Sequence, residues 1–201
     1  MRVGGAADGR SSQRLAGVCG LVFVAVTAAP LLIAPPPPPS GSPASEVVAY
    51  YSTHRAALLF GSWLAAVGII PSFVFLARVV AVVRDLEDEP AWLWLLALFG
   101  LIGTLASVIA LTVLGAILPY SAGVAGPQVA RVFSNLLGLT FAVYFFPVAL
   151  FIAAVGCVIT ASRGGLPRWL GPWAYLVAAA TVLVTPGIFV DWNPLAPRGC
   201  P

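Results

Sequence analysis

The chain has 201 residues, of which 60% are hydrophobic and only 8% charged, against about 45–50% and about 25% in a typical soluble domain. With a mean hydropathy of +1.00, this excludes an ordinary soluble enzyme, a disordered chain and a disulfide scaffold. What remains is an all-α fold, a polytopic helical membrane protein. The ten basic residues are all Arg, and with the load of Ala, Gly, Pro and Val they read as the codon signature of a high-GC bacterium. The net charge is +3, but the Arg residues are scattered between apolar runs. No basic stripe forms, so no nucleic-acid partner is expected.

Five uncharged runs are long enough to cross about 30 Å of hydrocarbon as helices: 15–34, 56–77, 91–118, 132–160 and 169–190. Lipid offers the backbone no hydrogen-bond partners, so helices are the form such runs take. The third and fourth are longest, and each is read as one long tilted helix, because two would need about 40 residues.

The first run has two readings. Arg2, Arg10 and Arg14 precede an apolar stretch, and Val26-Thr27-Ala28 has the small-residue pattern of a signal-peptide cleavage site. Apolar character continues through Leu31, Leu32 and Ile33 to Ala34, which favours a retained helix. Residues 1–14 are then a cytoplasmic N-terminal segment. Prolines 35–39 start an outer loop, 35–55, with extended polyproline II structure at its beginning. His54, the single histidine, lies beside Arg55 at the mouth of the second run.

Between the second and third runs stands the one dense charge run, Arg84-Asp85-Leu86-Glu87-Asp88-Glu89-Pro90, read as a solvated loop. Pro119-Tyr120-Ser121-Ala122-Gly123 is turn chemistry, and residues 162–168 form a short hinge. Residues 191–201 are a polar tail.

Arg counts in the connections set the orientation. A cytoplasmic N-terminus puts Arg2, Arg10, Arg14, Arg78, Arg84, Arg163 and Arg168 inside, and Arg55, Arg131 and Arg198 outside. The expected location is the bacterial inner membrane, multi-pass, with the lipid bilayer as the obligatory partner and other membrane proteins or a second copy as further ones.

None of the five runs contains Asp, Glu, Lys, Arg or His. This argues against a proton-coupled pump or a carboxylate ion site. Cys19, Cys157 and Cys200 have no CxxC spacing and one His lacks partners, so no metal and no cofactor is expected. Cys19 and Cys157 are expected to be buried as small apolar side chains. HExxH, GxSxG and GxxxxGK[ST] are absent, and no catalytic residue is assigned. The polar residues of the runs, among them Ser62, Ser72, Thr104, Ser107, Thr112, Ser134, Asn135, Thr140, Thr181 and Thr185, are expected to bond across helices or back to their own helix carbonyls.

Small residues four apart mark helix-packing faces: Gly61 and Ala65, Gly103 and Ser107, and Ser134, Gly138 and Ala142. The last stripe is expected to be a close helix–helix contact that Gly138→Leu would force apart. Pro71 and Pro147 each remove one helix hydrogen bond, and a static bend is expected at both.

Val48-Ala49-Tyr50-Tyr51 before the second run, Phe75-Leu76-Ala77-Arg78-Val79-Val80 at its end and Gly165-Leu166-Pro167-Arg168-Trp169-Leu170-Gly171 at the start of the last run together resemble a family. It comprises small multi-pass bacterial membrane proteins of a domain of unknown function, common in high-GC bacteria. The resemblance covers roughly 47–184 and implies no catalytic residues. Its members usually have six helices, so it implies a sixth span where this sequence has its polar tail. The expected role is a structural or partner-binding membrane subunit, with a small-solute facilitator or permease component as the alternative.

Overall fold

The structure, a computed structural model, describes residues 5–33, 35–38, 42–87, 92–124, 126–162, 167 and 169–191. The described elements are all helices: α1 (Gly5–Ile33), α2 (Ala44–Thr53), α3 (Arg55–Leu86), α4 (Leu93–Val124), α5 (Pro127–Ala161) and α6 (Leu170–Asp191). Three of them, α3, α4 and α5, are long and apolar enough to cross a membrane, whereas α1 and α6 carry shorter apolar stretches, Gln13–Ala29 and Leu170–Thr185.

The long helices alternate in direction, as their facing residues show. Gly20 of α1 meets Phe75 of α3, while Val26 meets Gly68. Ser62 of α3 faces Gly115 of α4 at one end, and Arg84 lies over Trp94 at the other. Gly100 and Gly103 of α4 face Phe151 and Pro147 of α5, and Gly156 of α5 faces Ala174 of α6. Each long helix packs on its neighbour in the row α1, α3, α4, α5, α6, with a lighter contact between α3 and α5. Among the described residues α1 packs on neither α5 nor α6, so the row is open.

Two buried clusters hold the ends of α3, α4 and α5. One gathers Val47 and Tyr51 of α2 with Leu118, Ala122 and Ala130. The other joins Val83, Ala97, Ala154 and Val158. Most other apolar side chains point outward: Leu21, Ile70 and Leu183 are 74%, 70% and 75% exposed. A water-soluble helix hides its apolar stripe, and helices apolar on all sides belong inside a protein or a bilayer.

Four expected boundaries move. The outer loop 35–55 contains α2, because Val47 and Tyr51, four apart, form a buried face. The expected turn at 119–123 is helical: α4 runs through Pro119 to Val124, and the chain turns at Gly126, whose φ of 81° suits glycine. Helix α3 extends to Leu86 and so takes in the start of the charge run. Helix α1 begins at Gly5, inside the segment read as a tail. The polyproline stretch is non-helical at Pro35–Pro38. Residues 88–90, 163–166, 168 and 192–201 lie outside the described ones.

One of the expected packing faces lacks a neighbour at its middle among the described residues. A side chain at Gly138 would meet nothing within 4 Å, although Ala142 on the same stripe is 1% exposed. Helix α2 covers the Ser134 end of the stripe, and its middle is open. Among the described glycines, the closest approach to another helix's backbone is at Gly100, where a Cβ would stand 2.7 Å from the Phe151 backbone nitrogen and 2.9 Å from its Cα. Backbone cannot swing aside as a side chain can. Gly100→Leu should therefore destabilise by about 1–3 kcal/mol, read as a lower melting temperature in detergent. Gly138→Ala should be neutral or stabilising by up to about 1 kcal/mol, because glycine is a poor helix former.

Candidate functional site

The end of the molecule where α2 lies gathers a group of polar and aromatic side chains. Pro43 precedes α2, and Glu46 sits in its first turn, where a carboxylate suits the helix dipole. The helix stops at His54, whose backbone N–H donates to the Tyr50 carbonyl at 3.0 Å. The His54 Nδ1 lies 3.0 Å from the same oxygen. The Tyr50 hydroxyl donates to the Pro35 carbonyl at 2.6 Å, tying the proline segment to α2. Tyr50 packs edge-on against Tyr51, with ring centroids 5.1 Å apart.

Tyr51 is 3% exposed. Burial pushes its phenol up from the ordinary 10.0, and the Ser134 side chain of α5 partly opposes the rise. Tyr50 is raised as well, by burial first and by the neighbouring Tyr51 second. Beside this cluster the Arg55 guanidinium lies over the Tyr120 ring, 5.0 Å from its centroid, within range of a cation–π attraction. The two flank an open groove of about 760 Å³, whose remaining walls include Val113, Ile117 and Val124. Arg and Tyr here stand beside apolar side chains. His54 turns its Nδ1 to a backbone carbonyl.

The opposite end is built by one carboxylate. Glu87 Oε1 accepts from the backbone N–H groups of Trp92 and Leu93 at 2.8 and 2.7 Å, and Oε2 from Trp94 at 2.8 Å. The first N–H groups of a helix have no intrahelical acceptor, and Glu87 supplies one with the charge that the dipole favours. Arg84 then covers the Trp94 ring at 5.2 Å. Glu87 stands in the charge run expected to be solvated, and its place just before an apolar run is the sequence signal for a cap.

The packing residues are spread over α3, α4 and α5 and form no single site. Gly61 is buried and Ala65 half-buried on α3. Gly103 and Pro147 come together: a Cβ at Gly103 would stand 2.8 Å from the proline Cβ. The Ser107 hydroxyl donates back to the Gly103 carbonyl at 2.9 Å. Helices α3 and α5 continue through Pro71 and Pro147. Gly100, Gly156 and Gly171, missed as contact points, face Phe151, Ala174 and Thr160. Their partners lie on other helices, which spacing along one helix does not reveal. Cys19 and Cys157 are free and half-buried, not fully buried as expected. Among the described residues no three His, Cys, Asp or Glu side chains gather as metal ligands.

The raised Tyr51 phenol has a consequence for pH. The folded state keeps its proton where the unfolded chain loses it, so the stability from this group is full below pH 10.0 and falls as pH rises through the folded value. Tyr51→Phe should flatten the loss of thermal stability between neutral and strongly alkaline pH in detergent. An unchanged alkaline slope would show that other groups cause it. No family model, curated protein or solved structure matches the chain.

Proposed function

We propose that this chain is a partner-binding subunit of a bacterial inner membrane, crossing it five times with the N-terminus in the cytoplasm. The observation that carries the reading is where the hydroxyls of the apolar helices point. Thr104, Ser107, Thr112, Thr140, Thr160 and Thr181 each donate to the carbonyl four residues earlier, at 2.7–2.9 Å. Hydroxyls engaged this way use their one donor on their own helix and leave only acceptor oxygens for a polar path between helices. A facilitator would need such a path, so a structural or partner-binding role is favoured over a permease component.

Three further observations support it. The alternating helices put Arg14, Arg78 and Arg84 at the end opposite α2, the distribution of a cytoplasmic face. Helices α1 and α6 each pack on one neighbour and leave Leu21 and Leu183 mostly exposed, as suits lipid-facing or partner-facing spans. The Arg55–Tyr120 groove offers a docking place on the other side. The resemblance to multi-pass proteins of unknown function agrees with this reading and adds no chemistry to it.

Osmotic swelling of proteoliposomes separates the two roles. Vesicles holding the purified protein should swell in small neutral solutes no faster than protein-free vesicles. Solute-selective acceleration that Thr→Val changes in α4 or α5 abolish would make the protein a facilitator.

A further inference from the structure

Arg78 of α3 is held in a setting that apolar packing does not explain. Its Nε is buried and has no hydrogen-bond partner among the described residues. It lines a cleft of about 210 Å³ between α1, α3 and α5, whose other walls include Ala16, Phe75, Val82, Val155, Val158 and Ile159. Leaving a buried donor of a charged group unpaired is costly. Among the acids at this end whose side chains the structure describes, both Glu87 oxygens take backbone N–H groups and Asp85 is exposed. Arg84 lies over the Trp94 ring.

From this we infer that the cleft holds one anionic phospholipid, its phosphate on the Arg78 guanidinium and an acyl chain along the apolar wall. The inference rests on the membrane reading above. Charge complementarity selects the headgroup, since a guanidinium pairs with phosphate through two parallel N–H bonds. The wall selects the tail: apart from Arg78 every lining side chain is apolar. Access is lateral, because α1 does not pack on α5 and the row of helices is open on that side. Depth fits as well. Arg78 stands about 12 Å before the end of α3 at 1.5 Å per residue, in the half of the helix nearer the end where Glu87 caps α4 and Trp94 lies. Basic pockets between helices on the cytoplasmic side are where anionic headgroups bind.

The test uses the full chain extracted from membranes in mild detergent, with phosphatidylglycerol, phosphatidylcholine and inorganic phosphate as probes. Native mass spectrometry should find one phosphatidylglycerol retained, preferred over phosphatidylcholine by about five- to tenfold, the weight of one basic group. Inorganic phosphate should not displace it. Arg78→Gln should remove the preference and Arg84→Gln should leave it. Val82→Trp, which fills the cleft while keeping the charge, should lower retention of both lipids. Equal retention of the two lipids by the unaltered protein, an undiminished preference in Arg78→Gln, or displacement by phosphate each overturn the site. A chain absent from the membrane fraction overturns the membrane reading, and this inference with it. A chain present there without lipid preference overturns the inference alone.

Discussion

Hydrocarbon gives polar groups no partner, and the rest of this structure depends on that constraint. Backbone amides close within helices, and hydroxyls such as those of Thr104, Thr112 and Thr160 close on carbonyls of their own helix. With these groups satisfied locally and lipid as apolar as leucine, helices gain by associating only where their surfaces approach closely. Gly100 and Gly103 supply that approach between α4 and α5, and Gly156 and Gly171 supply it between α5 and α6. At each of these positions a Cβ would press on a neighbouring helix, so the absence of a side chain sets the separation.

The same economy explains how polar chemistry is distributed. It collects at the two ends, where water or headgroups are near. At one end α2 folds over α4 and α5 through Val47 and Tyr51, and the Arg55–Tyr120 pair lies at its edge. At the other, Glu87 starts α4 by accepting three backbone N–H groups. Arg78 is the exception, charged and partly enclosed, which makes it the residue whose surroundings call for a ligand. The open row leaves α1 and α6 with one neighbour each and large apolar faces free for lipid or for another protein.

Much of the fold was legible because its signals are local. Long uncharged runs predict helices, and the structure places α1, α3, α4, α5 and α6 on the five runs, with ends shifted. What was misread depends on the third dimension. Pro119 looked like a turn, yet it lies within α4, where Leu118 and Ala122 are buried against α2 and α5. Helix α2 was hidden because ten residues with one half-apolar face are short beside a membrane span. The stripe at Gly138 has the right period, but period does not say whether a neighbour is present, and among the described residues none comes within 4 Å. Glu87 shows the same limit: an acid in a charge run gives no sign that its oxygens will find three amides.

In the proposed topology α1 and α6 cross the bilayer along with α3, α4 and α5. Single cysteines placed at Asp8, Ser45, Arg163 and Leu195 after removal of Cys19, Cys157 and Cys200 test it in intact cells with an impermeant thiol reagent. Five crossings with a cytoplasmic N-terminus require that 45 and 195 label from outside while 8 and 163 are protected. Labelling of 8 together with 45, or protection of 195 together with 163, would show that α1 or α6 does not cross and would overturn the five-span topology.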